Sequence, residues 1–238
     1  MPHTAMEKYI SSQIKYWQQQ KDMVDFVEKK KESLPFVTIS REYGCGGFEI
    51  AVKTVEIMNS MQKKEPVWAA YDRKLLDNII KDMGLSSSLL DTLTNNARNQ
   101  FTNLLQTSFT SFPPQVAVYR KLAETIRLLA LNGNVVIVGR AGNVITRDLK
   151  HGYHVRLVAS PEWRIDTLKE KYNLKRKDAE NRMYDKTKQR EGFLKEFIKF
   201  DPADPCNYHL VINCECHSTE ETAKIIIEGM KSKGFLSI

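Results

Sequence analysis

Apolar residues recur at helical spacing over residues 5–31, where Ile10, Ile14, Trp17 and Val24 fall on one face, as an amphipathic helix requires. Lys29, Lys30 and Lys31 follow, and Ser33 and Pro35 break the pattern. That face is expected to pack on the main domain or on a partner subunit. A membrane-surface helix fits less well, because the polar face is not basic until its end. Beyond it, short apolar runs alternate with helical ones. Phe36–Ser40, Pro66–Tyr71, Val135–Val138, His154–Ala159 and His209–Ile212 read as strands. Helices are predicted from near Phe48, over Lys74–Met83, and over 116–131, with Val118, Leu122, Ile126 and Leu129 in one stripe. The run Asn132-Gly133-Asn134 ends that helix. A long charged helical stretch covers 161–200, and a capping box at Ser218-Thr219-Glu220-Glu221 opens a last helix that stops at Gly234. This alternation predicts an α/β domain whose parallel sheet is covered by helices on both faces. Residues 86–116 are polar and end at Pro113-Pro114; they read as short helices and loop, an insertion placed to cover a substrate.

A chain of 238 residues with 42% hydrophobic residues can bury one large α/β core. No apolar run approaches the ~20 residues of a membrane helix, and no apolar signal core opens the chain, so a cytoplasmic location is expected. Cys45, Cys206, Cys214 and Cys216 are then expected to be reduced thiols. The formal charge of +7 fits either nucleic acid or a pocket for several phosphates. The basic residues are spread along the chain and no RNA- or DNA-binding module is recognisable, which argues against nucleic acid. The group Cys206, His209, Cys214, Cys216 and His217 lacks the paired spacing of a structural zinc site.

The segment VTISREYGCGGFEIA runs from strand through loop to helix. Successive N–H groups in such a loop, with the helix N-terminus behind them, can cradle an anion. Gly44, Gly46 and Gly47 let the backbone approach phosphate. The motif G-x-x-x-x-G-K-[ST] is not present. Arg41 stands in its first-glycine place, Gly47 in the lysine place and Phe48 in the Ser/Thr place. Both the lysine that reaches the β/γ-phosphates and the hydroxyl that binds Mg²⁺ are missing. Cys45 is either a thiol activated by the helix N-terminus or simply a small loop residue.

Taken in order, VTISREYGCGG, VWAAYDRKLLDNI, VVIVGRAGNVI, HVRLVASPEWRI and DPCNYHLVIN resemble the cytidylate-kinase-like family over roughly residues 36–230. Many of its members carry SRQYGSGG-type loops that also lack the lysine. The resemblance implies a P-loop kinase fold with five parallel strands, an acceptor-binding insertion and a LID. It divides the chain into an N-terminal helical extension, 1–34, and a kinase-like domain, 35–238, with the insertion at 86–116 and the LID-like region at 174–204. It also implies ATP- and Mg²⁺-dependent phosphoryl transfer to a nucleotide. True cytidylate kinases flank the GR arginine with aspartates, whereas Val138 and Ala141 lie beside Arg140 here.

Phosphoryl transfer needs cations converging on a phosphate cradle. The nucleotide-binding candidates are Ser40, Arg41, Gly44, Cys45, Gly46, Gly47 and Phe48, with Arg164 in SPEWR; for Arg164 a structural salt bridge is equally open. Arg140 follows an apolar strand at the end where α/β sheets place ligands, and is a candidate for catalysis and for the acceptor. Arg182, Lys186 and Arg190 share one helical face and could close over phosphates, or could be a solvated charged face together with Lys188. Asp72 and Arg73 are candidates for the acceptor or the metal, although Asp72 could instead cap the next helix. Asp185 and Asp201 are further acidic candidates, and no metal ligand set is identified. Two functional readings result: a nucleotide kinase, in which Arg41 or the Arg182–Lys186–Arg190 face replaces the missing lysine, and a nucleotide-binding regulator that has lost catalysis. The N-terminal helix leaves a homodimer open.

Overall fold

The computed structural model describes residues 2–24, 34–62, 65–81, 117–194 and 200–236. The expected insertion at 86–116, the lysine run at 29–31 and the helix end at Met83 lie outside the described residues. So do the side chains of Val24 and Val118.

Five strands form one parallel sheet in the order β2-β3-β1-β4-β5: β1 Phe36–Arg41, β2 Ala69–Tyr71, β3 Val135–Val138, β4 Gly152–Val158 and β5 Leu210–Asn213. The inner strands are buried along most of their length, and every residue of the apolar run Val135–Val138 is buried, as a sheet covered on both faces demands. The helices are α1 Pro2–Val24, α2 Gly47–Met61, α3 Arg73–Lys81, α4 Ala117–Asn132, α5 Gly142–Ile145, α6 Pro161–Tyr172, α7 Arg176–Phe193 and α8 Thr219–Ser232.

Several boundaries differ from the sequence pattern by a few residues, and three of them have a clear structural reason. Strand β1 extends one residue further, because Arg41 pairs in register with Leu157. Strand β2 starts at Ala69 rather than Pro66. Its approach is held by side chains instead of a ladder: Asn59 donates to the Trp68 carbonyl and accepts from the Trp68 N–H, and Asn134 donates to the Pro66 carbonyl. The charged stretch 161–200 is two helices in its described part, separated where Asn173 takes a left-handed conformation, φ 50°, and Leu174 N–H closes onto Lys169 O, a pattern that ends helices.

Helix α1 packs on the β2 edge. Trp17 and Met6 are buried, and the fully buried Gln13 donates to the carbonyls of Val67 and Asn134 while accepting from the Tyr71 hydroxyl. At the far end, Ser218 accepts from Glu221 N–H and Glu221 accepts from Ser218 N–H, the reciprocal box that starts α8. Strands β1, β3 and β4 all end on the same rim, as parallel strands must, so Arg41, Gly139 and Val158 open onto one side. The candidate site lies there.

Candidate functional site

Between β1 and α2 the chain makes a tight loop. Gly44 has φ +108° and Gly46 φ +62°, conformations that L side chains rarely adopt. A Cβ on Gly44 would also lie 2.8 Å from the Cβ of Arg164. Gly46 is the N-cap of α2 and offers no capping side chain. Among the described residues, the backbone N–H groups of Gly44, Gly46 and Gly47 meet no protein acceptor. Unsatisfied N–H groups at the start of a 15-residue helix form an anion cradle.

Strand β3 ends in a left-handed turn. Gly139, Arg140 and Ala141 have φ of +78°, +54° and +54°, and Gly142 N–H closes the turn on Gly139 O at 2.9 Å. Two non-glycine residues held at positive φ store backbone strain, which concentrates at functional sites. The turn lifts the Arg140 side chain to the rim, where Nη2 lies 4.0 Å from Asp77 Oδ2 on α3.

Arg41 connects the two turns. Its stem passes Gly47, where a Cβ would lie 3.1 Å from Arg41 Cγ, and its guanidinium covers Gly139, where a Cβ would lie 2.5 Å from Nη1. Arg41 therefore fills the space that a side chain on Gly47 would need. Its potential acid partners are engaged elsewhere: Glu42 lies 3.6 Å from Arg164 Nε and accepts from Ala159 N–H, and Glu49 pairs with Lys171. Among the described residues, no carboxylate pairs with Arg41. Burial, then the neighbouring charges of Arg190, Arg140 and Arg156, pull its pKa down to about 9. Burial and the charge of Arg140 likewise lower that of Arg190. Desolvation plus like charge disfavours the cationic form, so this corner suits a bound anion.

Two clefts meet at Arg41. The first, about 400 Å³, is lined by Ser40, Arg140, Asn143, Arg156 and Lys186. The second, about 750 Å³, is lined by the glycine loop, Phe48, Asp72, Trp163, Tyr172 and Thr219. Arg41, Tyr43, Arg73 and Arg190 border both.

The sequence candidates divide accordingly. Arg41, Arg73, Arg140, Lys186 and Arg190 converge on the first cleft. Ser40 belongs there too, rather than to the glycine loop, because its hydroxyl accepts from Arg156 Nη1 at 3.0 Å. Gly44, Cys45, Gly46, Gly47 and Phe48 line the second cleft. Asp72 also lines it and caps α3 by accepting from Leu75 N–H. Arg164 is buried on Glu42 beneath the loop and lines neither cleft. Arg182 also lines neither. It donates to the Tyr43 hydroxyl at 2.9 Å and stacks on Tyr172. Lys188 and Asp185 are exposed, and Asp201 caps Ala203 N–H in a turn. Cys45 is buried, and its thiol is pushed up by contact with Cys214 and by burial; this is not an activated thiolate.

Three residues of the site carry no sequence candidacy above. Tyr43 holds α7 down: its ring lies under Arg190 at 4.7 Å and its hydroxyl binds Arg182. Arg156 lines the first cleft from the middle of β4 while only 8% exposed. Tyr208 lies 3.3 Å from Ser40 Oγ and faces the Arg156 guanidinium. Arg156 had a legible signal, since a charged residue inside an otherwise apolar parallel strand must find a use. The two tyrosines had none.

Residues 36–215 match the profile of the Cytidylate kinase-like family. The chain belongs to this family. Among solved structures, it is similar to an uncharacterized protein from Eubacterium ventriosum ATCC 27560, with a TM-score of 0.63 at 21% identity over 83% of this chain and 98% of the other. A weaker likeness, TM-score 0.41 at 16% identity, covers 85% of this chain and 98% of TT1252 from Thermus thermophilus. No curated protein matches significantly. The family carries a kinase-like α/β fold with nucleotide use, and the E. ventriosum structure agrees with that fold. Among the described residues no helix is long and apolar enough to cross a membrane.

Proposed function

We propose that this protein transfers the γ-phosphoryl group of ATP, in the cytoplasm, to a nucleoside monophosphate or a related small phosphate acceptor. The observation that carries this reading is the position of Arg41. Its stem packs against the glycine that occupies the lysine place, and its guanidinium lies over Gly139, where the two clefts meet. A phosphoryl group in transfer needs compensating positive charge, and a guanidinium can grip phosphate oxygens bidentately. In this reading the second cleft holds ATP, with the N–H groups of Gly44, Gly46 and Gly47 on its phosphates. The first cleft holds the acceptor. Arg41 and Arg190 stabilise the charge that passes between them, and Arg140 orients the receiving group.

The loop fits the phosphates of ATP. It does not fit Mg²⁺ in the usual way, because Phe48 replaces the hydroxyl ligand, and Asp72 is the carboxylate left at the mouth of α3. Magnesium carried on the nucleotide would add further positive charge at the phosphates. The protein's own contribution is positioning and charge neutralisation by arginine. Tyr43 keeps α7 docked so that Arg190 is in place before the acceptor arrives.

The test is ADP release from ATP and Mg²⁺ with a panel of nucleoside monophosphates, and with Arg41→Ala and Arg41→Lys variants. Turnover should vanish in Arg41→Ala and return only partly in Arg41→Lys. Wild-type turnover by Arg41→Ala would refute the reading. Phe48 and Gly47 favour one alternative, a nucleotide-binding regulator without catalysis. ATP binding without turnover on any acceptor would establish that alternative.

A further inference from the structure

The cations of the first cleft exceed what one transferring phosphoryl group requires. Arg41, Arg73 and Arg190 border both clefts and so face the junction. Arg140 and Lys186 line the first cleft alone, Arg140 with Asp77 at 4.0 Å and Lys186 with Gln189 at 3.1 Å. Arg156 also lines the first cleft alone, and it is unlike the others. It is more than nine-tenths buried, in the middle of β4. Among the described residues its direct contacts are neutral: Nη1 donates to Ser40 Oγ at 3.0 Å, and Cζ lies 5.9 Å from the centre of the Tyr208 ring. The Tyr208 hydroxyl reaches Ser40 Oγ at 3.3 Å and the Pro202 carbonyl at 3.0 Å. A buried guanidinium without a carboxylate is unfavourable unless an anion completes it. Its planar fork is the geometry that suits a phosphate.

We propose that the acceptor carries two phosphate groups, one at the junction beside Arg41 and a second held by Arg156 and Ser40 deeper in the first cleft. This rests on the reading of the first cleft as the acceptor site and names the acceptor class as a small diphosphate or bisphosphate. Ser40 and Arg156 are in register across β1 and β4, so the second locus is built on rigid strands. Its position is fixed before any ligand arrives.

The proposal is tested by calorimetry on the full chain, first saturated with a non-hydrolysable ATP analogue so that the glycine loop is filled. Pyrophosphate and orthophosphate are then titrated separately. Pyrophosphate should bind more tightly by on the order of tenfold or more, as an added charge-assisted contact implies. Arg156→Gln should remove that preference and leave the affinity for the ATP analogue unchanged. Equal affinities for the two anions in the wild type, or a preserved preference in a folded Arg156→Gln variant, would overturn the proposal. If the analogue itself does not bind, the kinase reading falls. The two anions are then compared on the free protein, where the same preference and its loss in Arg156→Gln decide the second locus separately.

Discussion

Arg41→Met is expected to make the protein more stable and less able to bind ATP. Methionine keeps most of the stem that packs against Gly47 and removes the charge that lies over Gly139. The guanidinium is pulled well below the usual arginine range, to about 9, by burial and then by Arg190, Arg140 and Arg156, which corresponds to roughly 5 kcal/mol against the charged form. Arg41 keeps partial solvent contact, and solvent screens part of that repulsion, so roughly 2–3 kcal/mol is the usable figure. For a chain of this size that is a rise in Tm of roughly 5–10 °C. The sign with pH follows from linkage. Above about 9 the unfolded chain binds more protons at this group than the folded one, so wild-type stability rises with pH from there towards the usual arginine range. The advantage of the methionine variant should therefore be full at pH 7–8 and shrink above pH 9. Differential scanning fluorimetry over pH 7–10, with ATP titrations at pH 7.5, measures both effects. A lower Tm at neutral pH would refute the claim that the arginine cluster is unfavourable without an anion. Unchanged ATP affinity would remove Arg41 from the site.

Four other outcomes are expected. Arg140→Ala should lower kcat/KM by a factor on the order of 10² or more, and wild-type kinetics would exclude its contact with the transferred or accepting group. Gly46→Val puts a β-branched residue at φ +62° in the cradle; it should cost about 1–2 kcal/mol of stability and weaken ATP binding, and unchanged affinity in a folded variant would count against the loop. His154 is held at about 4, mainly by burial and then by His209. The unfolded chain therefore takes up a proton first as pH falls below 6.5, and roughly 2–3 kcal/mol should be lost on the way to pH 4; His154→Gln should flatten this loss, measured as Tm against pH. Gln13→Leu leaves the Val67 carbonyl and the Tyr71 hydroxyl without their buried partner, and should cost about 2–4 kcal/mol by urea denaturation.

Much of the scaffold was legible in the pattern of residues. Local rules decide it: a run such as Val135–Val138 cannot be stable except as a covered strand, and Ser218 with Glu221 starts a helix wherever the chain goes. The glycines of the loop and the arginine after β3 were legible for the same reason, since strand ends and positive φ are local properties. The late start of β2 was less so, because side chains distant in sequence, such as Asn134, had to supply the competing hydrogen bonds.

By itself the sequence determined the order of strands and helices, the absence of the usual lysine and hydroxyl, and the family. Only the tertiary structure decided what each cation does. Arg41 and Arg164 look alike in sequence, yet one lies over Gly139 with no carboxylate partner among the described residues and the other pairs with Glu42. Arg182 and Arg190 share a helical face, yet only Arg190 reaches the clefts, because the ring of Tyr43 lies under it and the Tyr43 hydroxyl holds Arg182 outside. Arg156 joins them from a strand whose pairing with Ser40 spans more than a hundred residues. The physical reason is that charge at a site is a sum over groups brought close by packing. Coulomb energy depends on separation in space and on burial, and neither is a property of spacing along the chain.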